Sequence, residues 1–308
     1  MRVIITGGTG LIGSALAQNL VSDGYEVIIL TRSPKRATGL PAGVRAEGWD
    51  ARTADGWGKW VEGATAIVNL AGASVAGEAF LPARWTDERK RLLRDSRIRA
   101  GEAVVEAVER AEQKPGVVIQ ASGIGYYGFH GDEVLDEGAP PGHDFLARLA
   151  AFEWEPSTAA VEALGVRRAV VRTGVVLATE GGALPRQLLP FRLFVGGPMG
   201  SGKQWVSWIH LADEVGAIRF LIEHPEAEGA FNLAAPGAVT NAQFAQAIGR
   251  VLKRPSLVPL PGFVMKLAFG EVAEILLEGQ RAEPRRLQEL GYRFRFSDAE
   301  AALRDLVG

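Results

Sequence analysis

Apolar positions in this chain gather in short unbroken runs instead of alternating with polar ones. Such runs cover Arg2–Thr6, Glu26–Thr31, Ala66–Leu70, Gly116–Ser122, Arg167–Arg172 and Ala230–Leu233. Most are continuous Val/Ile/Leu stretches, the pattern of strands buried on both faces of a parallel sheet. Between them, Ser14–Asp23, Arg84–Lys114 and Phe145–Leu164 have helical composition. Strand and helix in alternation predict an α/β chain: an open, doubly wound parallel sheet with helices on both sides. After Leu177 the rhythm breaks, Pro and Gly become frequent (Gly181-Gly182, Pro185, Pro190, Gly196-Gly197-Pro198), and helices dominate from Asn241. The expected organisation is a sheet domain over residues 1–177, with 203–235 partly returning to it. Residues 178–202 and 236–308 then form a smaller, mostly helical C-terminal lobe.

The first strand runs straight into Thr6-Gly7-Gly8-Thr9-Gly10-Leu11-Ile12-Gly13, and a helical stretch follows. A buried strand that enters a helix through glycines is how a Rossmann-like domain grips a dinucleotide. One glycine permits the tight turn, one lets the main chain approach the pyrophosphate, and one lets helix and strand pack closely. The helix N-terminus adds free N–H groups and the positive end of its dipole. Backbone around Gly7, Thr9, Gly10, Leu11, Ile12 and Gly13 is therefore the expected cofactor cradle. About 20 residues further on, where a carboxylate would bind the ribose diol of NAD, stand Thr31 and Arg32, followed by Ser33, Pro34, Lys35 and Arg36. A carboxylate there would repel a 2′-phosphate, whereas Arg pairs with it and stacks on adenine. The expected cofactor is NADP(H). Lys35 and Arg36 fit either that role or an exposed basic turn. Asp50, after the third strand, fits either an acceptor for the adenine amine or a surface carboxylate.

Bulk composition narrows the field. The 308 residues carry a net charge of −2 with signs interleaved, including along Asp87–Arg110, which speaks against a nucleic-acid partner. There is no Cys, and the four His are scattered without metal-ligand spacing, so no metal is expected. No signal peptide is expected from the N-terminal residues. The apolar stretch Phe263–Leu277 is interrupted by Lys266, Glu271 and Glu274 and reads as an amphipathic helix, not a membrane span. A cytoplasmic protein without a membrane partner is the expectation.

Taken together these motifs resemble the short-chain dehydrogenase/reductase superfamily in its extended, sugar-nucleotide epimerase-like branch. Asn69-Leu70-Ala71-Gly72 resembles the fourth-strand segment that lies against the cofactor, which implies roles for Leu70, Ala71 and Gly72. Ala121-Ser122-Gly123 resembles the strand end carrying the catalytic Ser or Thr. Arg172–Leu177 resembles the segment leading to the nicotinamide side, and Trp208-Ile209-His210-Leu211-Ala212-Asp213 an I-H-x-x-D segment. More narrowly, Trp85, Ser96-Arg97, Gly125–Gly128, Gly196–Gly202, Gln204-Trp205 and Gly279-Gln280-Arg281 resemble the group called epimerase family proteins, nucleoside-diphosphate sugar epimerase-like, with a C-terminal helical module of unknown function. That resemblance covers residues 1–305. It implies a small-molecule substrate in an interlobe cleft and, through the 87–110 helix, a homodimer.

One departure matters for chemistry. The superfamily's Tyr-x-x-x-Lys pair should lie on the helix after Ser122, where the ammonium assists the phenol in proton transfer. Residues 145–155 contain neither Tyr nor Lys. The candidate catalytic residues are then Ser122, Tyr126 and Tyr127. Ser122 fits a polarising hydroxyl or a turn hydroxyl, and the tyrosines fit a displaced acid/base or packing. His210, Trp205, Trp208, Lys203 and Arg192 each fit a cleft role or an ordinary structural one. Two functional readings stand: an NADP(H)-binding oxidoreductase- or epimerase-like enzyme, and a non-catalytic NADP(H)-sensing regulator.

Overall fold

The computed structural model describes residues 1–37, 40–77, 79 and 81–308, the side chain of Arg36 excepted. Its centre is a seven-stranded, all-parallel sheet of β1 (Arg2–Thr6), β2 (Glu26–Thr31), β3 (Val44–Gly48), β4 (Ala66–Asn69), β5 (Val117–Gly123), β6 (Arg167–Thr173) and β7 (Gly229–Leu233), in the order β7-β6-β5-β4-β1-β2-β3. The chain starts mid-sheet, builds outward through β2 and β3, then crosses back to lay β4 against the other side of β1. That reversal opens a crevice at the strand C-termini between β1 and β4.

Both sheet faces are covered, which is why the strand runs lack polar alternation. Val3, Ile5, Val27 and Ile29 face α1 (Leu11–Ser22) and a later helix over Leu211–Glu223, which supplies Ile218 and Leu221. Ile4, Ile28, Leu30 and Ile67 face α2 (Asp87–Arg110) on the other side. The sheet side of α2 carries Ala100, Ala103 and Ala107, so this helix seats close to the strands. A separate core holds the C-terminal lobe together: Phe191 from α3 (Leu184–Arg192) and Phe244 and Ile248 from α5 (Asn241–Leu252) pack with Leu303 of α6 (Ala299–Val307). The Leu211–Glu223 helix is α4. Among the described residues no helix is long and apolar enough to cross a membrane.

Three elements differ from the sequence expectation. The 145–164 stretch is not one helix: an α-turn over Phe145–Leu149 widens into a π-turn at Ala150–Trp154, tightens to 3-10 over Glu155–Thr158, and closes with Ala160–Ala163. Pro156 explains the break, because it lacks an N–H and its ring crowds the carbonyl four residues back. The 84–114 stretch is helical only from Asp87, where the Thr86 hydroxyl caps Arg89 N–H, to Arg110. Lys114 Nζ then donates to the carbonyls of Val108, Glu109 and Ala111. Finally, the 263–277 stretch divides at Gly270 into a helix over Gly262–Phe269 and shorter turns. Gly270 has φ of +64°, in the left-handed region that ends a helix.

Candidate functional site

At the end of β1 the chain reverses through Gly7, whose φ of +66° suits only glycine without strain. A Cβ there would stand 2.8 Å from the Leu70 carbonyl oxygen. At Gly13, a Cβ would stand 2.5 Å from Gly7 O and 2.7 Å from Gly8 Cα, so this glycine lets α1 press onto the turn. Gly10 is the N-cap of α1 and offers no side chain to its N–H groups. Those donors are left for a ligand, and Gly7, Gly10, Leu11, Ile12 and Gly13 line a cleft of about 560 Å³. Leu70 lines it too.

The floor beneath this turn is polar and fully buried. Thr6 Oγ1 donates to Asn69 Oδ1 at 2.7 Å, Asn69 Nδ2 to Gln120 Oε1 at 2.9 Å, and Gln120 Nε2 to the Ala121 carbonyl at 2.7 Å. Thr6 Oγ1 also accepts from Ala71 N–H at 3.1 Å. This ladder ties the C-termini of β1, β4 and β5 together and fixes the loop through Ala71 and Gly72.

Of the remaining expected cofactor residues, Thr31, Arg32 and Asp50 sit at the β2 and β3 ends, Thr9 in the glycine turn and Ala71 and Gly72 after β4, all outside the cleft lining. Thr9 and Arg32 are exposed, and Thr31 Oγ1 accepts from Ser33 N–H at 3.3 Å. The Asp50 carboxylate closes its own turn. It accepts from the backbone N–H groups of Thr53 and Arg52, at 2.9 and 2.8 Å, and from the Thr53 hydroxyl; these bonds hold its carboxyl below the usual range.

Ser122, at the end of β5, lines the same cleft as the glycine turn. Its hydroxyl donates to Glu155 Oε1 at 2.7 Å. Glu155 in turn accepts from Arg172 Nε at 2.9 Å and Nη2 at 3.1 Å, and the pair is nearly sealed from solvent, with side chains 12% and 6% exposed. Ser122 and Arg172 are partners in the β5–β6 register, so the sheet itself brings the three groups together. The tyrosine doublet divides. Tyr126 lines the cleft, its ring 3.4 Å below the Arg172 guanidinium. Tyr127 is fully buried and donates to Asn232 Oδ1 at 2.6 Å while accepting from Arg172 Nη1 at 3.1 Å. Burial pushes its pKa up to about 12. An acid/base role expected for Tyr127 is thereby corrected to a packing one: its hydroxyl is committed inside the core, away from the cleft.

Four hydroxyl-bearing side chains line the cleft among the described residues: Ser122, Tyr126, Thr173 and Ser207. Ser122 donates to Glu155, Thr173 to Glu214 Oε1 at 2.8 Å, and Ser207 to the Gln280 carbonyl at 2.8 Å. Tyr126 alone of the four has no internal acceptor among the described residues. The helical segment opposite contributes Leu146, Leu149, Ala150 and Trp154, all apolar or amphipathic.

Chain beyond Leu177 supplies Met199, Gln204, Trp205 and Gln280 to the cleft. Trp205 Nε1 donates to Asp132 at 2.9 Å, whereas Trp208 is fully buried and donates to the Gly237 carbonyl. The Gly196–Gly202 loop is stitched down by bonds from backbone N–H groups. Leu257 N–H donates to Gly196 O, Leu260 N–H to Pro198 O, and Met199 N–H to Asn241 Oδ1. Lys203 faces a smaller hollow with Asp132, and Arg192 ends α3 outside the cleft. His210 caps α4: its Nδ1 accepts from Ala212 N–H, and burial holds its pKa below the usual value. Asp213 pins the tail, accepting from Arg295 and Phe296 N–H at 2.8 and 3.0 Å.

Sequence reading missed Arg97, Glu155, Arg172 and Glu214 as members of the site. Arg97 did carry a signal. It occupies the buried face of α2 in step with Leu93, Ala100 and Val104, a cation at a core position.

Residues 3–234 match the model of the NAD dependent epimerase/dehydratase family, and residues 260–306 match a domain of unknown function. The chain is 40% identical over its whole length to the epimerase family protein SDR39U1 homolog, chloroplastic, of Arabidopsis thaliana, covering 87% of that protein. It is 37% identical to the human epimerase family protein SDR39U1, with all of both chains covered. A crystal structure of the human protein (isoform 2) with NADPH superposes with a TM-score of 0.87 at 35% identity, over 100% of this chain and 99% of that one. The Thermus thermophilus UDP-glucose 4-epimerase complex with NAD, 22% identical and with a TM-score of 0.75, shares the fold. The chain belongs to the NAD dependent epimerase/dehydratase family.

Proposed function

We propose that this protein is an NADP(H)-binding, epimerase-like enzyme that moves hydride to or from a small-molecule substrate in the interlobe cleft. One observation carries the reading: the Gly7–Gly13 turn and the Ser122, Tyr126 and Thr173 side chains open onto a single cleft of about 560 Å³. A dinucleotide laid on α1 would thus reach the polar end of β5 and β6. Once bound, it supplies hydride chemistry at the nicotinamide C4. Residues 1–177 and the returning 203–235 would hold it, and 178–202 with 236–308 would cover the substrate.

The choice of NADP(H) rests on Arg32, exposed at the end of β2 where a carboxylate would select NAD(H). It agrees with the NADPH in the human relative. Ser122, its proton directed at Glu155, presents lone pairs to the cleft and would accept from a substrate hydroxyl or a carboxamide. Tyr126, its hydroxyl uncommitted, would carry the proton to or from the substrate oxygen.

Thermal shifts with NADPH, NADP, NADH and NAD test the cofactor. NADPH and NADP should stabilise the protein most, and equal stabilisation by NADH would remove the Arg32 argument. Absorbance of NADPH during a carbonyl-substrate screen then tests turnover. Tight binding with no turnover across broad carbonyl classes would favour the sensor reading.

A further inference from the structure

Arg97 stands in the wall of the cleft as a buried cation with no counter-ion. It is 7% exposed, and no carboxylate among the described residues pairs with it. Its Nη1 donates to the Leu93 carbonyl one turn back at 2.9 Å, and its guanidinium lies 4.6 Å from the centre of the Trp154 ring. Burial, with a contribution from the neighbouring Arg89, lowers its pKa to about 10, so the group remains charged at neutral pH. Arg89 is itself a cation whose Nε is buried without an acceptor among the described residues. A lone buried charge is destabilising unless something of opposite sign completes it.

Its position says what that is. A Cβ on Gly72 would meet the Arg97 Cζ at 3.2 Å, and two residues earlier in the same loop the Leu70 carbonyl closes on Gly7. One short loop therefore joins the glycine turn to the guanidinium. The opposing 145–154 segment brings no cation to this cleft, only Phe145, Leu146, Leu149, Ala150 and Trp154 beside the acidic cap Asp144. We propose that Arg97 is an anion-binding residue that completes the dinucleotide cradle, its remaining N–H groups taking oxygens of the cofactor diphosphate while Trp154 holds the guanidinium plane. The inference rests on the NADP(H) reading above. The same guanidinium chemistry would suit an anionic group on the substrate, so the test separates the two sources.

Arg97→Met and Arg97→Lys are compared with wild type for binding of NADPH, of 2′-phospho-ADP-ribose (diphosphate without nicotinamide) and of adenosine 2′-monophosphate (neither diphosphate nor nicotinamide). Loss of a charge-assisted hydrogen bond predicts about ten- to hundredfold weaker binding of the first two to Arg97→Met. The third should bind unchanged, and Arg97→Lys should fall between. Because a lone buried cation is removed, the ligand-free Arg97→Met protein should melt no lower than wild type, a result that a purely structural role would not give. Should Arg97→Met fail to fold, selective weakening of the two diphosphates in Arg97→Lys carries the test. Binding of NADPH and 2′-phospho-ADP-ribose within twofold of wild type overturns the inference and assigns Arg97 to the substrate. Equal loss of all three ligands also overturns it. Wild-type protein that binds no NADPH overturns the cofactor reading first, and this inference with it.

Discussion

Glu214 gives the sharpest stability prediction. It lies in the first turn of α4 with its back to the sheet, fully buried. Its Oε1 accepts from the Thr173 hydroxyl, while Oε2 has no partner among the described residues. Burial raises its pKa from 4.5 to about 8, against a small lowering by Thr173. The carboxyl is thus a neutral acid in the fold at pH 7. In the unfolded chain it ionises near its ordinary value. Below that value both states hold the proton, and the stability tied to it is fully present. As pH rises from about 4.5 to about 8, only the unfolded state gives up the proton, and each unit withdraws about 1.4 kcal/mol. The loss is about 3 kcal/mol at pH 7 and about 4 kcal/mol at pH 8, where the folded carboxyl is itself half ionised. Glu214→Gln keeps the shape and an acceptor for Thr173 but cannot titrate. Any cost of its unpartnered amide is the same at every pH, so the slope is diagnostic and the offset is not. Urea denaturation at pH 5, 6, 7 and 8 should show the variant gaining on wild type by about 1.4 kcal/mol per unit. Parallel stability curves over that range would refute the neutral, buried acid.

Other perturbations separate the cradle, the ion pair and the tyrosines. Gly13→Ala drives a methyl into the backbone of Gly7 and Gly8; overpacking of that kind costs about 1–3 kcal/mol, and NADPH affinity should drop by about tenfold or more as α1 moves off the turn. The exposed neighbour Ser14→Ala should leave isothermal titration of NADPH unchanged. Glu155→Gln removes the anion beneath Arg172 and should cost about 3–5 kcal/mol in urea denaturation, because the guanidinium is then left buried and unpaired. Tyr127→Phe strips the acceptor Asn232 and the donor Arg172 of a partner, costing about 1–3 kcal/mol without altering NADPH affinity. Tyr126→Phe should change stability by less than about 0.5 kcal/mol, yet abolish turnover of any substrate the wild type reduces. Retained turnover would remove Tyr126 from the chemistry.

Strands β1, β2, β4, β5, β6 and β7 were legible because a strand covered on both faces must be apolar throughout. β3 was expected only as a strand without bounds before Asp50, because it is an edge strand whose Val44, Arg45, Ala46, Glu47 and Gly48 are none of them fully buried. The 145–164 stretch reads as a helix by composition, and only Pro156 hints at the break. At the site, the glycines announced themselves by spacing, and the Gly7 and Gly13 contacts account for that spacing atom by atom. Side-chain partnership across the sheet left no such trace. Glu155 and Arg172 are 17 residues apart, and it is the register placing Ser122 beside Arg172 that turns a serine, a glutamate and an arginine into one cluster. The tyrosine doublet shows the same limit. Adjacent identical residues carry no mark of which faces the cleft, and the short turn over Ile124–Tyr127 sends one inward and one outward.

The helix without Tyr or Lys invites the view that this member of the family has lost its chemistry, yet the polar groups of the cleft argue otherwise. A site kept only for binding has no need of a hydroxyl held free of internal acceptors beside a polar strand end. Here three of the four cleft hydroxyls are tied to acceptors behind them, and the fourth, on Tyr126, lies under a guanidinium that is itself anchored by Glu155. Glu155 is bound to Arg172 through both oxygens and so fixes that cation in place. The proton of Ser122 is directed at Glu155, so under the proposed function Ser122 would accept and donation would fall to Tyr126. On the proposed reading, the roles that one helix carries elsewhere as a tyrosine and a lysine one turn apart would be divided here among three elements. The phenol comes from the turn after β5, the cation at its ring from β6, and the cation on the cofactor side from α2.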